Sequence, residues 1–550
     1  RIILNNGAGG TTAVTYLTTT SSTVVVNFGT TASATEGSAL FGASFATSKD
    51  FVFLYDNTSG TGRPIYGSFV ESDGVDLSAV TSIAQFYKDN VDGQGGYWGT
   101  IIPNVNANGI RRIEYRHLSD GTLFYASTDN DGNWNGLNTV NPTTGATALE
   151  ISDNVADDFT IGTASSIYLP ATFNLTVNGT LTNNAGTSGL VIESDATGTG
   201  SLLHNTANVP ATIQRYITGN SNLTAYDYHL VSVPLDAAVT SAQFTGSYLY
   251  YFDPVSGWQS MGTSTTTPVP VDKGYMIYYP DAATTYNFTG ELNSGTFTAS
   301  TPMTATDQFA LVPNPYPSAI DWDAAGGWTR TNLLDAIWIW DPVANQYAAY
   351  GAGVGTNGGT RYIPVGQAFF VKSNAAAPVL TMDNNVRVHN AQAFWKAGET
   401  EKDLIRVKAY ANGMSDEILV RFRDYGLSTF DAADVDKLNG SDQAPQLYFL
   451  SSDQRALCIN TLPYSTETVT TDMGMQLMAD GTVTLDFTGF ELFEAGASIF
   501  LEDLLTGQMT DLRANPSYAF EHSQGNDPLR FRLHFMGVTA TAETAENTMK

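Results

Sequence analysis

The chain has 550 residues, with 25 Lys+Arg against 54 Asp+Glu, a formal charge of −29 and only 14% charged residues, where a globular domain carries about 25%. Length alone divides it into about three to five domains, and 42% hydrophobic with 11% aromatic residues excludes wholesale disorder. The acidic balance excludes nucleic acid and anionic membrane surfaces as partners, because both demand clustered Lys/Arg.

Short β-branched and aromatic runs bounded by Gly, Asn, Asp and Pro recur along the chain, and helical periodicity is scarce. This pattern predicts an all-β protein of tandem β-sandwich modules with a short β-helix-like segment. Residues 1–150, with runs such as Val24–Phe28, Phe51–Tyr55 and Arg112–Arg116, read as a β-sandwich. Across 151–220 the strands shorten and the corners fill with Gly, Asn, Ser and Thr, as in Phe173–Asn184, Gly189–Ile192 and Gly200–Asn205. That texture predicts solenoid rungs, too few to be stable without stacking on a neighbour.

An internal duplication follows. Leu230–Pro234 matches Leu311–Pro315, Tyr250–Val255 matches Trp338–Val343, and Val269–Val271 with Gly274–Ile277 matches Ile363–Val365 with Ala368–Val371. The offset grows from 81 to 88 to 94 residues, so the second copy carries insertions, among them the Gly-rich stretch Gly351–Gly359. We place repeat 1 at 221–302 and repeat 2 at 303–395. Residues 396–537 alternate cleanly, as in Leu404–Tyr410 and Leu529–Phe535, and predict an antiparallel C-terminal sandwich. Residues 538–550 read as a linker to a missing domain, and Arg1 reads as a trimmed terminus.

Several stretches form a recognisable set: His229–Pro234, Val312–Trp322, Ile363–Val371, Val386–Asn390, Phe430-Asp431 with Asp434–Leu438, Leu501–Leu504 with Thr506-Gly507, and Asn515–Phe520. Together they resemble the region of large secreted surface proteins of the Bacteroidota that lies just upstream of the C-terminal sorting domain read by the type IX secretion system. The resemblance implies attachment to, or release from, the outer cell surface, with adhesion, gliding, polysaccharide use or surface-layer building as typical roles. It covers about 160–537 well and the first 150 residues loosely; the sorting domain expected beyond the last linker is absent from the sequence.

Candidate chemistry is sparse. Asp129, Asp131 and Asn133 in the Asp129–Trp134 turn place side-chain oxygens as a Ca²⁺ site requires, the alternative being a plain Asx-rich hairpin. Trp322, Trp338 and Trp340 concentrate aromatics in repeat 2 and are candidate ligand-binding residues, as a stacking platform for sugar rings; the aromatic Tyr250 and Phe252 at the matching positions favour a core role instead. Cys458 is the only cysteine, so no intramolecular disulfide exists, and it reads as a small buried hydrophobe. There is no His-Glu-x-x-His, no Gly-x-Ser-x-Gly and no Gly-Lys pair, so the expectation is a non-enzyme. No apolar run approaches the length of a membrane helix. The sequence therefore points to an extracellular, rod-like scaffold or adhesin whose partners are copies of itself or other surface proteins, or alternatively to a protein that binds or processes polysaccharide.

Overall fold

The computed structural model describes residues 165–219, 228–262, 264–389 and 402–539, and ahead of them short strands only, as far as Phe159–Ile161. The sandwich expected over 1–150 lies outside this range apart from four antiparallel hairpins, of which Phe51–Tyr55 with Ile65–Phe69 is one. The described chain is all-β, and its helical turns are 3₁₀ turns of three or four residues.

A parallel solenoid comes first. Ser165–Leu169, Leu190–Ile192 and Pro210–Thr218 stack in parallel on one face, while Asn174–Val177 and Ser201–His204 stack on a second. Phe159–Ile161 and Leu181–Asn183 form the third. Like side chains then meet rung on rung: Ile167 on Leu190, Leu175 on Leu202, Phe159 on Leu181, all essentially without solvent exposure. Gly200 turns a corner so close to the rung below that a Cβ would lie 2.7 Å from the Leu169 carbonyl oxygen. An open solenoid end would invite edge pairing. Here Pro210–Thr218 is covered by the antiparallel strand Ala283–Glu291 along nine residues, so repeat 1 seals the last rung.

The duplication is written into the sheet registers. In repeat 1, Leu230 faces Met276, which faces Tyr250; in repeat 2, Leu311 faces Phe370, which faces Trp338. Both copies order their strands alike: Tyr228–Val231, Tyr275–Tyr278, Tyr248–Asp253, Gly257–Ser260, and Phe309–Pro313, Ala368–Lys372, Ala336–Asp341, Gln346–Gly351, with Val354–Thr356 added in the second. Even the hairpin tips agree. The Asp253 carboxylate accepts from the amides of Val255 and Ser256, and that of Asp341 from Val343 and Ala344, leaving the two valines 81% and 87% exposed.

One face of each repeat sheet meets the other copy. Phe252 and Trp258 of repeat 1 pack edge-on against Phe370 of repeat 2, with centroids 4.9 and 5.8 Å apart. The opposite face of repeat 1 (Val231, Leu249, Tyr275, Ile277) shares a core with the solenoid. The opposite face of repeat 2 packs Val312, Ile337, Phe369 and Val371 under a small sheet made of Phe297–Ala299, Val379–Met382 and Trp328–Thr331.

The C-terminal region, expected from alternation as an antiparallel sandwich, is antiparallel but for one strand pair. It is one continuous curled sheet running from Gln508–Asp511 to Ser517–His522. Inside it Met414–Phe422 and Ala456–Leu462 pair in parallel, which the long intervening chain permits. The curl brings the two ends together: the Tyr518 hydroxyl donates to Asp503 at 2.9 Å, and Arg530 holds the same carboxylate.

One interior residue breaks the apolar pattern. His204 stacks on Val177 inside the solenoid, 1% exposed, and neither ring nitrogen reaches a partner. Burial, assisted by nearby Arg387, pushes its pKa from 6.5 down to about 3, and burial beside Arg215 lowers that of His229 to about 4. Because the folded-state values are depressed, this contribution to stability is complete above pH 6.5 and is lost as the pH falls towards 3. Denaturant titrations between pH 7 and 3.5 are expected to show His204→Leu flattening that acid limb by a few kcal/mol without lowering stability at pH 7.

Candidate functional site

Two of the three tryptophans expected to bind ligand are core residues. Trp322 is 0% exposed, donates its Nε1–H to Asp335 at 2.8 Å and lies under Arg330, 4.5 Å from the ring centroid. Trp338, also 0% exposed, donates to the Asp436 backbone carbonyl at 3.0 Å. Neither offers a face to a sugar. Trp340 is half-buried with its ring edge-on to Tyr347 at 5.0 Å, so the three do not form a coplanar exposed row. The candidate Ca²⁺ ligands Asp129, Asp131 and Asn133 lie outside the described residues. Among those described, no group of three His, Cys, Asp or Glu side chains could hold a metal ion. Cys458 is buried, its thiol pointing at the Asp436 carbonyl, and burial pushes its pKa up to about 12, far from a reactive thiolate.

The motifs that stand out in the sequence are spent on joints. Asn314, wholly buried, donates its amide to the carbonyls of Ser318 and Pro364 and accepts from the Tyr316 amide. This fixes the Asn314–Ser318 loop so that the Pro317 carbonyl accepts from the Leu202 amide of the solenoid at 2.8 Å. Val386–His389 supplies the second half of that clamp. Arg387 donates to the His204 carbonyl and the Asn205 side chain, and the ring nitrogens of His389 lie 2.7 Å from Thr176 Oγ1 and 2.9 Å from Ser201 Oγ.

A second joint ties repeat 2 to the C-terminal sheet through buried charge. Lys372 (7% exposed) pairs with Asp436 at 3.0 Å and Asp307 at 3.3 Å. Arg455 forks onto Asp436, reaches Asp307 and stacks 3.7 Å above Phe430. Alongside, Lys437 and Asp416 form a pair whose side chains are 3% and 0% exposed. Asp416 also accepts from the Asn357 side chain and the Leu447 amide.

Here the Gly-rich insertion of repeat 2 has its role. Its exposed carbonyls are taken by arginines of the next module: Ala352 by Arg421 at 2.9 Å and Gly355 by Arg406 at 2.7 Å. Asn357, at φ 50°, exchanges hydrogen bonds with Glu417. Gly351 is required because a Cβ there would sit 2.6 Å from Val435. Charge-assisted bonds of this kind are stronger than neutral ones.

Two concavities lie among the described residues of the repeats and the C-terminal sheet. One beside Tyr350 and Gln367 holds only about 40 Å³, room for water but not for a ligand. A groove of about 350 Å³ opens at the end of the C-terminal sheet, between Asn439–Asp442, Met475–Met478 and Gln524–Pro528, within the size range of small-ligand sites. Its residues come from three stretches spread over 90 positions, and nothing in the sequence marks them.

Two outcomes test the joints. Asp416→Ala strips Lys437 of its partner and should lower stability by about 3–5 kcal/mol in urea titrations, whereas Arg532→Ala, which breaks the half-exposed pair with Asp472, should stay within about 1 kcal/mol. Arg387→Ala should raise amide hydrogen exchange at Leu202 while leaving the core of the C-terminal sheet protected.

Among the described residues no helix is long and apolar enough to cross a membrane. No curated protein and no solved structure matches the chain. A family model described as a domain of unknown function, DUF8693, matches residues 129–535. That span runs from the upstream turn through the solenoid and both repeats to the last strand of the C-terminal sheet, well over half of the chain, so the protein belongs to the DUF8693 family.

Proposed function

We propose that this protein is a non-enzymatic extracellular scaffold: a stiff β-rod of the bacterial cell surface that carries adhesive parts or assembles with its own copies into a filament or layer. The observation that carries this reading is the fusion of modules through shared cores. The solenoid and repeat 1 share one core, repeat 1 faces repeat 2 through Phe252, Trp258 and Phe370, and repeat 2 joins the C-terminal sheet through the Lys372 and Asp416 networks. Domains meant to move usually meet through modest, polar interfaces. Here the interfaces are cores, so force or position applied at one module is transmitted to the next.

The resemblance to surface proteins exported by type IX secretion supports the same location. So does composition: with a single cysteine, stability rests on packing and hydrogen bonds, and the polar Gly/Thr/Asn surface suits a secreted rod. The residues of the Val312–Trp322, Ile363–Val371 and Val386–His389 stretches are engaged in holding neighbours, which suits a structural protein better than a catalyst.

Electron microscopy of the native protein, on cells and after release, is the direct test. Regular filaments or a lattice on the cell surface, or uniform rods protruding from it, are the expected outcomes. Particles bending freely between repeat 2 and the C-terminal sheet, or a protein confined to the cytoplasm, would overturn the proposal.

A further inference from the structure

The groove at the end of the C-terminal sheet has a chemistry that no joint uses. Asn439, Gln476 and Asn526 line it with side-chain amides that make no hydrogen bond within the described residues, and all three are exposed. Asp442 is the one carboxylate of its lining, no Lys or Arg is among them, and the imidazole there, His522, is buried with Nε2 3.1 Å from the Leu477 carbonyl oxygen. The exposed Met478 and the adjoining Pro528 supply an apolar surface between the amides.

The walls are held in place by the protein itself. Gln446, 3% exposed, accepts from the Gly440 amide and donates to the Ser441 carbonyl at 2.7 Å, which fixes the Asn439–Asp442 wall. The Met478 amide donates to the Asp442 carbonyl at 3.0 Å, joining wall to floor. Gln524 donates to the Met478 carbonyl at 2.8 Å, and its own amide donates to Asp480. The opposite wall is therefore tied to the same floor. A site whose walls are fixed before the ligand arrives spares the cost of ordering them on binding.

Each free amide offers two N–H donors and an oxygen with two lone pairs. A hydroxyl is donor and acceptor at once, so neighbouring hydroxyls match such amides without leaving a group unpaired. A phosphate, sulfate or carboxylate would bring its charge beside Asp442 to a site without Lys or Arg, where the His522 imidazole is turned to the Leu477 carbonyl, in a chain of charge −29. A purely apolar ligand would strand the amides. What satisfies both constraints is an uncharged ring bearing adjacent hydroxyls and an apolar C–H face to lie on Met478 and Pro528. We propose that this groove binds neutral glycan, one or two sugar units at a time. The assignment is independent of whether the protein polymerises.

The test is a titration of the full chain with cellohexaose, mannohexaose, xylohexaose and galacto-oligosaccharides, alongside sialylated and sulfated oligosaccharides, read by calorimetry and by a glycan array. The expected result is binding of at least one neutral oligosaccharide, weakened about tenfold or more in the double variant Gln476→Ala/Asn526→Ala and also weakened in Met478→Ala. These side chains are exposed, and an unchanged thermal midpoint would show that the variants remain folded. Three results would overturn the proposal: no neutral oligosaccharide bound at about 10 mM, a preference for the anionic glycans, or binding that survives the double variant.

Discussion

The strand Ala368–Lys372 has no solvent face: all five of its residues are buried. A strand with one wet face alternates, whereas Ala-Phe-Phe-Val is continuous because both sides of the sheet are covered. On one side Phe370 meets Phe252, Trp258, Phe309 and Tyr347. On the other, Phe369 and Val371 lie in the core of repeat 2, where Phe369 meets Trp322. Repeat 1, the solenoid clamp and the C-terminal sheet are all located by this one sheet, so its integrity sets the relative position of everything described.

Lys372, which ends that strand, shows how the position is made unique. Apolar contact between modules is tolerant of small rotations; a buried ammonium between two carboxylates is not. A buried pair adds little net stability because desolvation offsets attraction, but a docking pose that leaves one partner unpaired is heavily penalised. The Lys372, Arg455, Asp307, Asp436 network, and the hydrogen bond from the Asn357 side chain to Asp416, therefore select one arrangement of repeat 2 against the C-terminal sheet. The insertions that distinguish the second copy lie where this selection happens. Repeat 1, without the Gly-rich loop, closes the solenoid instead. Duplication supplied two similar sheets, and divergence of their loops gave each a different neighbour.

The period-2 strands and the duplication were legible in the sequence because each rests on many residues at once. The offsets of 81, 88 and 94 residues that align Leu230, Tyr250 and Met276 with Leu311, Trp338 and Phe370 are the offsets at which those residues take equivalent register positions in the two sheets. The environment of the tryptophans was not legible. Alternation places Trp338 and Trp340 on one face, but whether that face is wet depends on repeat 1 and on chain from residue 403 onward, far away in sequence. The curl of the C-terminal sheet was hidden for a related reason, since alternation reports a half-buried strand and not which strand it pairs with. The groove left no trace because free amides look like any loop residues until the fold brings them together.

Charge closes the account of how such a molecule can meet its own kind. Among the described residues several of its few cations are committed internally: Lys372, Arg387, Arg406, Arg421, Lys437, Arg455 and Arg530 all serve joints or the closure of the C-terminal sheet. The surface is left with the acidic excess. Copies therefore repel on close approach, over a range set by the Debye length of about 8 Å at physiological salt, and long-range attraction does not bring them together. Contacts between copies must be short-ranged, made by backbone edges or apolar tips, and the described surface presents such tips at Val255, Val343 and the Leu504–Met509 hairpin. Under the proposed scaffold function, copies would associate only where another surface holds them close enough for those contacts to form.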